Sequence, residues 1–200
     1  MCGICGELRF DDALADVARI ERMKKQLVKR GPDAEGSYTS GALALGHRRL
    51  SIIDLSDRAA QPMTDEQAGV ALVFNGTIYN YPELRKELQA LGHRFLSSGD
   101  TEVIMRAYIQ WGEDAVQRLK GMFAFALWDS NSSKLLLARD RNGIKPLYYS
   151  QTSDRLLFAS NTQALIHADD DLDTTLDNSA LHHLFTLHAV VPAPSTVIRG

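Results

Sequence analysis

Two cysteines stand near the start of the chain, Cys2 and Cys5 in MCGICGELRF. Cys2 directly follows the initiator methionine. Methionine aminopeptidase removes Met1 when the second side chain is small, and the product would carry a thiol and a free α-amine on one residue. An α-amine has a reference pKa of about 7.7–8.0, so it can act as a base near neutral pH. A nucleophile served by its own terminal amine is a known activation route. Two plainer readings compete. Cys is among the most buried residue types, so Cys2 also fits a small core hydrophobe. The pair also spells CxxC, but a redox CxxC sits at a helix N-terminus, where the dipole lowers the thiol pKa, and this one opens a strand-like stretch. A structural zinc needs four ligands, and no second CxxC exists. His182, His183 and His188 cluster, but HHxxxxH is poor ligand spacing, and they read as ordinary helix-surface and core histidines.

Three further stretches carry polar groups at suggestive places. In GHRRLSIIDLS two arginines run into an apolar stretch. Neighbouring strand side chains point to opposite faces, so one of Arg48 and Arg49 should face inward or into a cleft. An inward arginine needs an anionic partner, and its planar fork fits a carboxylate. An internal ion pair with Asp33 or Asp54 is the bland alternative. VFNGTIYNY contains Asn75-Gly76, a strong hairpin signal. Its amide side chain and glycine N–H at a strand end are also the donors of an oxyanion hole. In SSGDTEVI, Asp100 is placed to cap a helix, or to offer a carboxylate to an ammonium group. Taken together, a nucleophile, an oxyanion donor pair, a cation and an anion suit the cleavage of a free amino acid with a side-chain carbonyl, and glutamine is the obvious candidate.

These residues need elements to hold them. Residues 3–10 read as a strand. Residues 16–29 carry Val17, Ile20, Met23, Leu27 and Val28 at helical spacing, and RGPD breaks that helix. Strands are expected at 36–40, 42–47 and 50–55, a polar loop over 56–67, and a buried strand in GVALVFNG. Tyr81-Pro82 opens a helix with Leu84, Leu88 and Leu91 on one face and Gly92 as its C-terminal cap. A second helix follows SSGD, with Val103, Ile104, Ala107, Tyr108 and Trp111 facing the core and Gly112 at its end, and a short helical piece lies near 115–119. GMFAFALWD, SKLLLARD, KPLYYSQ and RLLFAS read as an antiparallel meander, and two more helices are expected after Asn161. VVPAPSTVIRG is Pro-rich and reads as the start of a connection over residues ~190–200.

The 200 residues suit one domain, two at most. A net charge of -3 gives no electrostatic case for nucleic acid or an anionic membrane. The densest basic group, Arg22, Lys24, Lys25, Lys29 and Arg30, reads as a solvated helix face. An acidic, strand-like stretch stands where a secretory signal would place an apolar segment, and the longest apolar run, 122–128, is too short to span a bilayer. Two cysteines allow no disulfide framework, so a reducing, cytoplasmic setting is expected.

MCGICG, RGPD, HRRLSIIDLS, FNGTIYNY, SGDTEVI, LKGMFAFALWD and ARDRNGIKPLYY, in that order over nearly the whole chain, resemble the glutaminase domain of asparagine-synthetase-type enzymes, the class II glutamine amidotransferases. The resemblance implies an α+β Ntn-hydrolase fold, a four-layer αββα sandwich with two antiparallel sheets, over residues 1–200. It implies that Cys2, freed of Met1, attacks the glutamine carboxamide, with the α-amine as base and then acid. Asn75 and the Gly76 N–H would hold the oxyanion. Arg49 would bind the substrate carboxylate, Asp100 its ammonium, and the backbone of Leu50, Ser51, Ile52 and Ile53 would line the pocket. Thr77 stands where the family usually has Glu, so a contact near the substrate amine is altered. No metal or organic cofactor is implied for this half-reaction; ATP and Mg belong to a C-terminal synthetase domain, the implied partner that receives ammonia. Aspartate is the family's best-known acceptor, while CGICGELRF and Thr77 are similar to the N-acetylglutaminylglutamine amidotransferase branch. A homodimer stays open, as does a non-catalytic regulatory domain retaining the fold.

Overall fold

The computed structural model describes residues 1–186 and 191–199. Two antiparallel sheets lie face to face and are flanked by helices. The first sheet has the order β2-β3-β1-β9-β8, from β1 (Gly3–Arg9), β2 (Ala34–Ser40), β3 (Leu43–Arg49), β8 (Tyr148–Gln151) and β9 (Arg155–Ala159). The second has the order β4-β5-β6-β7, from β4 (Met63–Asp65), β5 (Val70–Ile78), β6 (Gly121–Asp129) and β7 (Lys134–Arg139). Alternation along the strands divides the apolar residues into three layers. Ile4, Leu45, Ala71, Val73, Ala124, Ala126 and Phe158 fill the space between the sheets. Cys5, Leu157 and Ala159 face α1 (Val17–Gln26) and α5 (Thr162–Ile166). Leu72, Phe74, Phe125 and Leu127 face α2 (Tyr81–Ala90) and α3 (Asp100–Trp111). This is the αββα sandwich expected from the resemblance.

Helix termini follow local chemistry. Asp16 caps α1 by accepting from the Arg19 amide at 3.1 Å. Gly92 takes φ +96° just beyond α2, and the His93 amide reaches the Leu88 carbonyl at 3.0 Å. Gly112, at φ +60°, ends α3. The apolar stripes are narrower than their periodicity suggests: Ile20, Met23 and Leu27 are buried, whereas Val17, Val28 and Leu91 are exposed. A four-residue helix, α4 (Ala115–Arg118), follows α3, and α6 (Asn178–Thr186) lies near the end of the chain.

Several expectations fail for tertiary reasons. Residues 50–55 form no strand but a loop, because β3 ends at Arg49 and, among the described residues, no strand runs beside its continuation. The expected meander splits: β6 and β7 pair in one sheet, β8 and β9 in the other. Asn75-Gly76 is not a turn. β5 runs through it, with Asn75 opposite Ala124 and Gly76 opposite Phe123. The polar stretch 56–67 holds a short 3-10 turn over Asp57–Ala59 as well as β4. The basic group on the first helix is not a uniform solvated face: Lys24 is buried between Glu21 and Glu35, 2.8 and 3.6 Å away.

Candidate active site

β5 is the spine of the site. β4 pairs with it only at Val70, Ala71 and Leu72, so its edge is open beyond that point. In an antiparallel ladder, amides two residues apart point to the same side. The Phe123 amide and carbonyl turn to Asp140 on the β7 side, 3.1 and 2.8 Å away, so Gly76 opposite it exchanges no bonds with β6. The free edge is filled by side chains. Gln61 Oε1 accepts from the Phe74 amide at 2.6 Å, and His47 Nε2 meets the Phe74 carbonyl at 3.2 Å. Two steps on, Asp100 Oδ2 accepts from the Ile78 amide at 2.9 Å. The Gly76 N–H between them is directed by the same alternation into the cleft. A Cβ at Gly76 would lie 2.3 Å from the Met122 carbonyl oxygen, so only glycine lets the two strands approach this closely.

Asn75 points the other way, towards the first sheet, with Ala71 and Val73. It is buried, and its Nδ2 has no hydrogen-bond partner among the described residues. An unpaired buried amide donor is unusual and calls for an explanation. Cys2 stands just before β1. The Leu50 amide donates to Cys2 Sγ at 3.3 Å, and the thiol reaches back to the Leu50 carbonyl at 3.6 Å. Burial raises the Cys2 thiol above its ordinary pKa; the Leu50 backbone, the nearby N-terminus and Arg49 oppose that, and Asp100 adds to it. Cys5 lies on the opposite side of the first sheet, under α1, where burial pushes its thiol up to about 12. The two cysteines therefore form no CxxC redox site.

Arg49 is the inward member of the arginine pair. Arg48 turns away to Glu35 at 2.8 Å. Arg49 makes no internal ion pair with Asp33 or Asp54 among the described residues. It donates instead to the Asp54 and Ser56 main-chain carbonyls, so its positive charge has no carboxylate partner. Asp100 is the first residue of α3, and Gly99 holds the cap position. Burial raises its carboxyl above the ordinary range, and the amides of Ile78, Asp100 and Thr101 pull it down. Among the described residues Asp100 has no cationic partner. Arg49 and Asp100 thus bring to the site a cation and an anion that face no opposite charge among the described residues.

Cys2, Arg49, Leu50, Ile52, Ile53, Asn75, Gly76, Thr77 and Asp100 line one cleft of about 240 Å³, smaller than the about 300–1,000 Å³ of drug-sized pockets. Ser51 is the exception: its amide turns to Asp33 Oδ2 at 2.8 Å, and the residue is outside the cleft wall. Ile52 forms part of the rim, 72% exposed. Several residues here carried no sequence signal of their own. Gln61, Met122 and Lys145 line the cleft from loops and strands far apart in the chain, and Arg30 donates to the Cys2 carbonyl at 3.1 Å. His47 is fully buried and its pKa is lowered to about 4 by burial, so at neutral pH it is an uncharged ring on the Phe74 carbonyl. No group of three or more potential metal ligands exists among the described residues. His182 and His183 lie on α6, and His188 lies outside the described residues. No helix of the described residues is long and apolar enough to cross a membrane.

Comparison with known proteins agrees with this architecture. The glutamine amidotransferase domain family matches residues 1–200. Asparagine synthetase (glutamine-hydrolysing) 1 of Bacillus subtilis is 41% identical over 201 residues, covering 98% of this chain and 31% of that protein. The putative asparagine synthetase (glutamine-hydrolysing) 2 of Methanocaldococcus jannaschii is 32% identical, covering 100% of this chain and 42% of that protein. The chain thus spans less than half the length of these relatives. Among solved structures, glutamine phosphoribosylpyrophosphate amidotransferase from B. subtilis superposes with a TM-score of 0.70 at 22% identity, over 84% of this chain and 43% of that one.

Proposed function

The chain belongs to the glutamine amidotransferase domain family, and on that premise we propose that it hydrolyses glutamine to glutamate and ammonia through a thioester on Cys2. The observation that carries the reading is charge. Arg49 and Asp100 present opposite, uncompensated charges to one cleft that also holds Cys2 and the unpaired Asn75 amide. Buried charges lacking partners are costly, and a zwitterionic amino acid completes both. Its α-carboxylate takes the Arg49 fork and its α-ammonium takes Asp100. The side-chain carbonyl then lies towards Cys2 and Asn75.

With Met1 removed, the Cys2 α-amine takes the thiol proton as sulfur bonds to the carboxamide carbon. The carbonyl oxygen becomes an oxyanion, held by Asn75 Nδ2 and the Gly76 N–H. The protonated amine returns its proton to the leaving nitrogen, and the C–N bond breaks to release ammonia. Water, activated by the same amine, then attacks the γ-glutamyl thioester and frees glutamate and the thiol. The Leu50 amide, directed at Cys2 Sγ, stabilises negative charge on sulfur. No step draws on a metal or organic cofactor.

We assign residues 1–200 to this one domain, with ~190–200 beginning a linker. The relatives, of which this chain covers 31% and 42%, are named asparagine synthetases. The ammonia is accordingly assigned to an ATP- and Mg-dependent synthetase region of the same parent chain, which amidates a carboxylate.

The test is intact mass before and after 6-diazo-5-oxo-L-norleucine, a glutamine-like alkylator. Wild type should lack Met1 and gain one adduct, and Cys2→Ala should gain none. Retained Met1, or a folded sample without adduct, would leave a non-catalytic domain that keeps the fold.

A further inference from the structure

Lys145 lies in the segment between β7 and β8, and its backbone is tightly held. Its amide donates to Asp140 Oδ2 at 3.0 Å, and its carbonyl accepts from Arg139 Nε at 2.7 Å. The Asp140 carboxylate is itself fixed by the amides of Phe123 and Ile144, at 3.1 and 2.9 Å. Lys145 is 7% exposed and forms part of the wall of the Cys2 cleft. Among the described residues its ammonium makes no ion pair and touches one polar atom, Met1 Sδ, at 3.3 Å. A thioether is a weak acceptor and does little for a buried cation.

Loss of Met1 removes that contact and leaves a new α-amine on Cys2, one residue from the sulfur that Lys145 touched. Four charged groups lie in or against the cleft that holds Cys2. Arg30 comes from the turn after α1, Arg49 from the end of β3, Asp100 from α3 and Lys145 from the β7–β8 segment. Bound glutamine neutralises Arg49 and Asp100 with its own carboxylate and ammonium. Arg30 is tied to the Cys2 carbonyl. Arg30 and Lys145 are then the cations left near the amine, and of the two only Lys145 has, among the described residues, no carbonyl to hold it. A fixed positive charge opposes protonation of a neighbouring amine, and only the unprotonated amine can take the thiol proton.

We propose that Lys145 is a positioning residue for the glutaminase chemistry, its ammonium keeping the Cys2 α-amine in the free-base form at neutral pH. The proposal rests on the glutaminase reading. Its test is the pH profile of kcat for glutamine hydrolysis by the chain without Met1, which reports the glutamine-bound enzyme. The acid limb, where the amine loses its proton, should move to higher pH by about one pH unit in Lys145→Met. That is a loss of about tenfold below the limb and little above it. Lys145→Arg, which keeps the charge, should keep the limb of wild type. Lys145→Gln serves as a second neutral variant, read the same way. Limbs of the neutral variants that coincide with wild type overturn the proposal, as does an arginine variant shifted as far as the neutral ones. Labelling of wild-type Cys2 by 6-diazo-5-oxo-L-norleucine separates the two ideas. A labelled wild type with unmoved limbs sinks the role of Lys145 alone, and an unlabelled, inactive wild type overturns both.

Discussion

The cleft around Cys2 and the packed layer beneath α1 lie on opposite sides of one sheet, and both bury the same kinds of group. Each holds a cysteine, a carboxylate and a cation. In the packed layer they are matched. Glu7, fully buried, accepts from Arg19 and from the Asp16 amide at 2.7 Å, and Lys24 lies between Glu21 and Glu35. In the cleft they are not. Among the described residues Asp100 has only amides, Arg49 only carbonyls, and Asn75 Nδ2 nothing. Burial alone therefore does not mark a functional group here. Nor does a single missing partner, since His47 Nδ1 and Trp128 Nε1 also lack one; what marks the cleft is that Arg49, Asp100 and Asn75 meet there without opposite charge or acceptor among the described residues.

The contrast can be broken by substitution. Glu7→Gln removes the buried member of a matched pair and leaves Arg19 with only the more distant Asp16, 4.0 Å away. It should lower the free energy of unfolding by about 3–5 kcal/mol in urea titration, with the KM for glutamine unmoved in the protein that remains folded. A large rise in KM would mean that the two regions are not separable.

Asp100→Asn should do the reverse. Loss of the charge-assisted contact to the substrate ammonium should raise KM by about 10–100-fold, while the melting temperature at pH 7 is held or raised. A carboxyl whose folded pKa lies above its unfolded value contributes stability at low pH, and that contribution is lost as pH rises through the folded pKa. At neutral pH the wild type thus carries a buried, unneutralised carboxylate that asparagine lacks. The variant's advantage should disappear as pH falls through the raised pKa of Asp100 towards the ordinary carboxylate range. A melting temperature that drops at pH 7 would count Asp100 among the structural carboxylates.

The smallest effect is expected at Cys5. Cys5→Ser places a hydroxyl against the Gly46 carbonyl that Sγ already faces at 3.7 Å. Stability should fall by about 1 kcal/mol, and glutamine hydrolysis and Cys2 labelling should be unchanged. Loss of activity would restore a paired role for the two cysteines.

Much of this was legible along the chain. The apolar spacing of residues 16–29 and 100–111 reports which face of a helix is buried, and Gly92 and Gly112 end helices because only glycine takes those positive φ angles easily. Cys2, Arg49, Asn75, Gly76 and Asp100 stood out by residue type. Other features were not legible. Asn75-Gly76 reads as a hairpin turn because the dipeptide favours one locally, yet Phe123 and Ala124 lie opposite it and extend it into a strand. Residues 50–55 have the composition of a strand and lack only a neighbour to pair with.

The sequence by itself determined the local periodicities, the end points of the helices and the inventory of chemical groups, because these depend on a residue and its near neighbours. The tertiary structure alone decided which groups meet. The open edge of β5, the use of Gln61 and His47 to satisfy Phe74, the turning of Ser51 out of the cleft and the placing of Lys145 beside Met1 all depend on segments 13 to 144 residues apart. Pairing across such distances is set by how sheets and helices pack, and packing also left Arg49, Asp100 and Asn75 without partners inside one cleft.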